Sequence, residues 1–176
     1  MLFRSGAQQA LEFLKEIDAI NLRARERVIE LVRRDLSNDL KSKKIAVLGA
    51  AFKPDSDDVR DSPALDIAEQ IRAAGADVVV HDPKAIENAR KRFPNLKFES
   101  EITKTISGAE IVLHLTEWKM YRELNPAELK SQVKSAIIID GRNALDQDKW
   151  RRAGWKFRAL GRDRKSTRLN SSHLGI

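Results

Sequence analysis

The chain has 176 residues, of which 41% are hydrophobic and 34% charged, and its formal net charge is +7. This length fits one domain with an appended element, and the apolar fraction is large enough for a buried core, which excludes wholesale disorder. No apolar run reaches the roughly 18 residues of a membrane-spanning helix. The absence of Cys excludes disulfides, cysteine zinc sites and thiol nucleophiles within the chain, and the three histidines are too scattered to suggest a metal cluster. A cytoplasmic location is the default expectation.

The two ends of the chain differ from the rest of the sequence. Residues Asp163–His173 resemble the in-frame translation of a sequencing-library adapter, and Leu2–Ser5 resemble its counterpart from the other end. We therefore predict that residues 1–5 and 163–176 are adapter-derived, with a disordered tail that packs against nothing; the alternative is an ordinary polar tail. Without these ends the formal charge falls to +4. A nucleic-acid binder, which the sequence pI of 9.8 alone would favour, is therefore not expected.

A long helix is predicted within residues 6–38, from Ala7 to about Leu36. Apolar residues recur there at helical spacing with no interrupting Gly or Pro. About thirty residues at 1.5 Å rise make a rod of roughly 45 Å, which is too long for a small domain to cover. We therefore expect self-association through the apolar stripe, which consists of Leu14, Ile17, Ile20, Ala24 and Val28.

Residues 43–162 alternate between strand and helix patterns, taken here in chain order. Strands are predicted at 45–49, 77–81, 96–98, 110–116, 136–140 and 155–160. Helices are predicted at 63–74, from 83 to about 92, around 101–107, from 126 onward and at 146–154. Ser62 and Asp146 are suitable helix caps. The pattern predicts an α/β fold with a Rossmann-like, open, mostly parallel sheet covered on both faces, in which 110–116 is a central strand.

Three cations follow two of the predicted strands. Lys53 and Arg60 lie in the segment after the first strand, and Arg142 follows the strand at 136–140. Ligands of open parallel sheets bind beyond the carboxyl ends of the strands, at the point where strand order reverses. Together the three charges favour a crevice for a diphosphate, although each one alone is more simply explained as a solvated loop residue.

The glycine pattern does not support an NAD site within this chain. A dinucleotide fingerprint needs G-x-G-x-x-G at the first turn, and here Gly49 is followed by Ala50-Ala51-Phe52. Asp82 follows the second strand, but it lies further from Gly49 than the usual spacing of about 20 residues. We interpret Asp82 as a helix N-cap.

Several motifs resemble those of the nucleotide-sugar 6-dehydrogenases, the UDP-glucose/GDP-mannose dehydrogenase family. Residues 49–63 resemble the family's G-x-A-F-K-P-x-[ST]-D-D-x-R-[DE]-S-P signature, and LTEW at 115–118 and IDGRN at 139–143 match two further motifs. FLKEIDAINLRARERV at 13–28 resembles the end of the family's long central helix. The motifs suit members acting on UDP-glucose better than those acting on UDP-N-acetylmannosamine or GDP-mannose.

The resemblance implies roles for four residues. Phe52, Lys53 and Arg142 match positions that bind the UDP-sugar, and Arg60 matches one that reaches NAD bound by another domain. Packing beneath its loop is the alternative for Phe52. Glu117 is interpreted as holding its loop, Asp57 and Asp58 as loop caps, and the three tryptophans as packing residues.

The family oxidises the sugar C6 alcohol to a carboxylate in two NAD-dependent steps, through a thioester on a cysteine. That cysteine, its supporting lysine and the glycine fingerprint lie upstream of the matched region in the family. The resemblance thus implies an amino-terminally truncated fragment, inactive alone, which carries the UDP-binding domain and the helix through which the whole enzyme forms a homodimer or higher oligomer. A stand-alone nucleotide-binding module remains the alternative.

Overall fold

The computed structural model describes residues 3–161 of the chain and the side chains of residues 15–161. The predictions for the adapter-like ends therefore lie outside the described residues, except for the backbone of Phe3–Ser5. That backbone belongs to the first helix, which begins four residues earlier than expected. None of the described helices is both long and apolar enough to cross a membrane.

The long helix is present as α1 (Phe3–Asp35). Among its described side chains, those of residues 15–35, the buried ones lie in the last third of the helix. Val28, Ile29, Leu31 and Val32 are buried in the core. The expectation that Val28 belongs to an unpartnered stripe is therefore wrong, because the chain's own sheet covers it. Further toward the amino terminus Ile17 and Ile20 are exposed, and self-association through them stays a prediction; the side chain of Leu14 lies outside the described residues.

A buried carboxylate fastens the end of α1 to the last strand. Asp35 accepts hydrogen bonds from Arg158 Nε at 3.2 Å and Nη2 at 2.9 Å, and its Oδ1 lies 2.9 Å from Lys156 Nζ. Burial alone would raise the pKa of Asp35, but the hydrogen bonds from Arg158 and Lys156 outweigh it and lower the pKa. The contacts with Arg158 and Lys156 hold the end of α1 against the last strand of the sheet.

The domain is built on six parallel strands. They are β1 (Lys44–Leu48), β2 (Asp77–His81), β3 (Lys97–Phe98), β4 (Ile111–His114), β5 (Ile137–Asp140) and β6 (Lys156–Ala159). Their order is β3-β2-β1-β4-β5-β6, and every neighbouring pair is parallel. The predicted α/β, Rossmann-like sheet is confirmed, with β4 central and the last strand at an edge. The strand order reverses between β1 and β4, which defines the switch point.

Six shorter helices connect the strands. They are α2 (Pro63–Ala73), α3 (Ile86–Arg92), α4 (Ile102–Ile106), α5 (Lys119–Arg122), α6 (Pro126–Lys130) and α7 (Gln147–Arg152). The predicted cap Ser62 accepts from Leu65 N at 3.4 Å, and Asp146 accepts from the amides of Asp148 and Lys149. Only α5 was not foreseen, because four residues are too few for a helical period to appear in the sequence.

The strand register places one row of residues at the carboxyl edge of the sheet. Leu48 of β1 pairs with His81 on one side and His114 on the other, and His114 pairs with Asp140. The loops that follow this row leave the sheet side by side. They are the segments in which the sequence placed the candidate site.

Candidate functional site

The loop after β1 presents Phe52, Lys53 and Arg60 on the protein surface. Phe52 is 49% exposed, so the alternative that it packs beneath its loop is not supported. Its amide donates to Asp58 O at 2.8 Å, which closes the loop. Arg60 donates through Nε and Nη2 to the Asp58 carboxylate, and this lowers the pKa of Asp58 to about 2, with a smaller contribution from the charge of Lys53. Arg60 thus pairs directly with Asp58, whereas Lys53 acts on this carboxylate only through its charge.

Arg142 lies in the loop after β5 and is held by Glu117 from the loop after β4. Its Nη2 donates to Glu117 Oε1 at 3.0 Å, and its Nε donates to Glu117 Oε2. These bonds lower the pKa of Glu117, which supports its interpretation as a residue that holds its loop. About a third of the Arg142 side chain remains exposed. Two of its five donors face Glu117, so the others remain to bind an anion.

A small cavity adjoins Arg142 between α1, the start of α2 and the ends of β4 and β5. Its volume is about 80 Å³ and its lining includes Arg25, Pro63, Leu115 and Gly141. Arg25, which donates to Asp66 Oδ2 at 3.0 Å, was not singled out from the sequence, because its helical segment gave no sign of facing a strand end. The cavity therefore has two arginines on its walls.

The contacts divide the sequence-predicted cations into two groups. Arg60 pairs with Asp58, which the charge of Lys53 also reaches, whereas Arg142 pairs with Glu117. That all three cations converge on one ligand stays a prediction. Phe52, Lys53 and Arg142 as substrate-binding residues, and Arg60 as a cofactor-binding residue, likewise stay predictions.

The turn after β1 packs closely against the loop after β4 at the switch point. A Cβ added to Gly49 would lie 2.5 Å from Thr116 Cβ and 2.6 Å from Thr116 N, so the first turn touches the loop after β4. Thr116 Oγ1 also donates to Ala51 O at 2.8 Å. This close approach, together with the φ of +113° at residue 49, explains why the turn begins with glycine.

Asp82 has a different role from the helix cap that the sequence suggested. The helix that follows begins at Ile86, and its N-cap position is Ala85, with no side-chain cap. Asp82 is buried and accepts hydrogen bonds from Ala50, Ala51 and Trp118, as well as from its own loop. The N-cap interpretation is wrong, because the carboxylate turns inward to join the loops after β1, β2 and β4.

A buried polar cluster lies beneath these loops. His114 Nδ1 is 2.8 Å from Asp140 Oδ1, and the same carboxylate accepts from the amides of Arg142 at 3.0 Å and Leu145 at 2.9 Å. Burial would raise the pKa of Asp140, but these hydrogen bonds outweigh it and lower the pKa. Asp140 thereby connects the central strand to the backbone of Arg142.

Tyr121 extends the cluster to β2. Its hydroxyl donates to His81 O at 3.1 Å and lies 2.7 Å from His81 Nδ1. Its ring meets the ring of His114 edge-on, with centroids 5.9 Å apart. Burial lowers the pKa of His81 and raises that of Tyr121, so both are neutral near pH 7.

The tryptophans pack within the domain, as expected. The rings of Trp150 and Trp155 meet edge to face with centroids 4.8 Å apart, and Trp118 is buried in the loop after β4. Within the described part of the chain, no three His, Asp or Glu side chains form a group that could hold a metal ion. The candidate site therefore consists of cations, one exposed aromatic ring and the loops that carry them.

Comparison with known proteins gives a consistent picture. A model of the UDP binding domain of the UDP-glucose/GDP-mannose dehydrogenase family matches residues 46–147. A UDP-glucose 6-dehydrogenase of Rhizobium meliloti is 37% identical over 124 residues, which cover 70% of this chain and 28% of that protein. One from Rickettsia conorii is 35% identical over 150 residues, which cover 84% of this chain and 35% of that protein.

Solved structures agree with the sequence matches. The structure of a UDP-glucose dehydrogenase from Pyrobaculum islandicum aligns with a TM-score of 0.70 at 28% identity, covering 90% of this chain and 34% of that one. The chain thus spans about a third of the length of the proteins that it matches.

Proposed function

The chain belongs to the UDP-glucose/GDP-mannose dehydrogenase family and contains its UDP-binding domain, and from this premise we propose that it binds the UDP part of UDP-glucose. In this proposal the chain is the substrate-binding part of an NAD-dependent UDP-glucose 6-dehydrogenase. That enzyme converts UDP-glucose, two NAD⁺ and water to UDP-glucuronate and two NADH.

The observation that supports the proposal most directly is the setting of Arg142. Glu117 holds its guanidinium through Nε and Nη2, and Asp140 holds its backbone amide. A guanidinium fixed in this way loses little freedom when its remaining donors bind phosphate oxygens. Lys53 supplies a second charge and Phe52 an exposed ring for the uridine end of the ligand.

The choice of UDP-glucose follows the names of the curated relatives at 35–37% identity. A UDP-D-ManNAc dehydrogenase from Pyrococcus horikoshii is also similar in structure, with a TM-score of 0.64 at 26% identity. Another nucleotide-sugar dehydrogenase, or a nucleotide-binding module without catalysis, is therefore the alternative. We place the NAD site mainly outside this chain, because the G-x-G-x-x-G fingerprint is incomplete after Gly49, and Arg60 would reach that NAD from its exposed loop.

In the same proposal the exposed Ile17 and Ile20 of α1 pack against a second copy in a homodimer or higher oligomer, and the enzyme works in the cytoplasm. The proposal includes neither a nucleic acid nor a membrane among the partners.

Titration of UDP tests the proposed function. We expect the chain to bind UDP weakly, and Arg142→Ala to weaken binding by about 1.5–3 kcal/mol, the range for a hydrogen bond to a charged group. Arg142→Lys should recover only part of this loss, because an ammonium cannot form a bidentate fork. Lys53→Ala should also weaken binding. Calorimetry or NMR titration measures all four proteins.

Arg90→Ala is the matched control for Arg142→Ala. Arg90 also pairs with a glutamate, donating to Glu87 at 2.8 Å, but it does so on the surface of α3. Its replacement should leave UDP affinity unchanged. Equal binding of UDP by the wild type, Lys53→Ala and Arg142→Ala, each shown to be folded, would contradict the site assignment.

The chain alone is expected to produce no NADH from UDP-glucose and NAD. It contains no Cys, so it has no thiol for a thioester step, and its glycine fingerprint for a dinucleotide is incomplete. NADH production is measured by absorbance at the NADH band. An intact nucleotide-sugar dehydrogenase serves as the positive control. Turnover that persists through purification would refute the prediction.

A further inference from the structure

We propose that Asp82 is a positioning residue for the nucleotide, because it fixes the loop that carries Phe52 and Lys53. The inference rests on the proposed function and adds a residue to it that touches no ligand. Asp82 lies at the carboxyl end of β2 and is only 2% exposed.

One carboxylate oxygen of Asp82 accepts hydrogen bonds from two other loops. Asp82 Oδ2 accepts from Ala50 N at 2.8 Å, from Ala51 N at 3.0 Å and from Trp118 Nε1 at 3.1 Å. The two amides directly precede Phe52. The loop after β1 is thus tied to β2 and to the loop after β4 at the residues next to the proposed binding side chains.

The other oxygen anchors Asp82 in its own loop. Oδ1 accepts from Lys84 N at 2.9 Å and from Ala85 N at 2.8 Å. The carboxylate therefore has five donors and cannot rotate without breaking several of them. A buried charge satisfied in this way holds its surroundings in one arrangement.

The carbonyls of the same two alanines are also bound by side chains. Ser62 Oγ donates to Ala50 O at 2.6 Å, and Thr116 Oγ1 donates to Ala51 O at 2.8 Å. Both N–H groups and both carbonyls of Ala50 and Ala51 are thus fixed by side chains from other segments. Asp82 supplies both of the bonds to the N–H groups.

This arrangement matters for binding because Phe52 is a large apolar side chain held in the open, 49% exposed. A loop already fixed in its binding conformation loses less entropy when the ligand arrives. Loss of the Asp82 contacts would let the loop carrying Phe52 and Lys53 adopt other conformations, and only part of the population would then bind.

The test is UDP titration of the full chain carrying Asp82→Asn. The amide keeps the size of the side chain, but its NH2 group cannot accept from the backbone donors. We expect UDP to bind about tenfold more weakly, within the range of coupling between residues that share contacts. Asp35→Asn is the matched control, since Asp35 is an equally buried carboxylate that bonds to Arg158 and Lys156 instead. It should change UDP affinity by less than about twofold.

Double-mutant cycles separate positioning from general weakening of the fold. If Asp82 acts through the loop, Asp82→Asn should cost less than about threefold in a Lys53→Ala background. In an Arg142→Ala background it should still cost about tenfold, because Arg142 is held by Glu117 and Asp140. Equal losses in both backgrounds would mean that Asp82 only stabilises the fold, and the proposal would be overturned.

Trp118→Phe decides the matter if Asp82→Asn does not fold. It removes a single donor to Asp82 Oδ2 and should weaken UDP binding by about threefold. Trp155→Phe is its control, because Trp155 Nε1 donates to Pro126 O at 2.8 Å, away from these loops. Trp118→Phe with unchanged UDP affinity would refute the positioning role. A wild-type chain that fails to bind UDP would instead refute the proposed function itself.

Discussion

Gly49→Ala is expected to be the most damaging single replacement of a glycine in the domain, with a loss of about 3–5 kcal/mol in the free energy of unfolding. Two causes add together. Gly49 has φ of +113°, where an L side chain is strained, and its Cβ would lie 2.6 Å from the backbone nitrogen of Thr116. The loops after β1 and β4 would have to separate at the switch point. Urea unfolding followed by circular dichroism measures the change.

Gly108→Ala separates the two causes. Gly108 also has a positive φ, +69°, but no heavy atom lies within 4 Å of its added Cβ. This variant should lose only about 1–2 kcal/mol, the strain of the left-handed conformation. A Thr116→Ala replacement should rescue Gly49→Ala only in part, because the backbone nitrogen of residue 116 stays in place. Similar losses for the two glycine variants would show that the contact with Thr116 is not tight.

Asp140→Ala is expected to lower the free energy of unfolding by about 3–5 kcal/mol, as for removal of one partner of a buried pair. Asp140 accepts from His114 and from the amides of Arg142 and Leu145, and its removal leaves these buried donors without an acceptor. Asp146→Ala is the control, since Asp146 also accepts from two amides but is exposed at the start of α7. Asp146→Ala should lower the free energy of unfolding by only about 1 kcal/mol.

The contribution of Asp140 to the free energy of unfolding should also depend on pH. Since its pKa is lowered in the folded protein, the stabilisation is complete above the ordinary carboxyl pKa of about 3.9 and is lost as pH falls through the folded value. The difference in unfolding free energy between the wild type and Asp140→Ala should therefore be largest near neutral pH and shrink below about pH 4. A constant difference between pH 7 and pH 3 would contradict the lowered pKa.

The local pattern of the sequence determined the elements. Alternating apolar strands and capped amphipathic helices predicted six strands, the order of strands and helices along the chain, and the caps Ser62 and Asp146, all of which the structure contains. Motif resemblance identified the family, and the rule for open parallel sheets selected the three loops that follow β1, β4 and β5. These features depend on residues close together in sequence.

The inward role of Asp82 could not be predicted in the same way. In the sequence Asp82-Pro83 before a helix has the form of an N-cap, and only the folded sheet brings Ala50 and Trp118 to its carboxylate, across 32 and 36 residues. The pairing of Glu117 with Arg142 was likewise invisible, since it joins loops 25 residues apart.

Residue patterns along the chain were therefore enough to place the strands and helices, to identify the family, and to find the loops that carry charge at the strand ends. The folded arrangement alone covers Val28 with the domain, brings Thr116 against Gly49, and joins Asp140 to both His114 and Arg142. The difference lies in how far apart in sequence the interacting residues are. Periodicity and capping act over a few residues of one chain segment, whereas a buried carboxylate or a closed turn is defined by donors and atoms that only the parallel order of the strands brings within 3 Å.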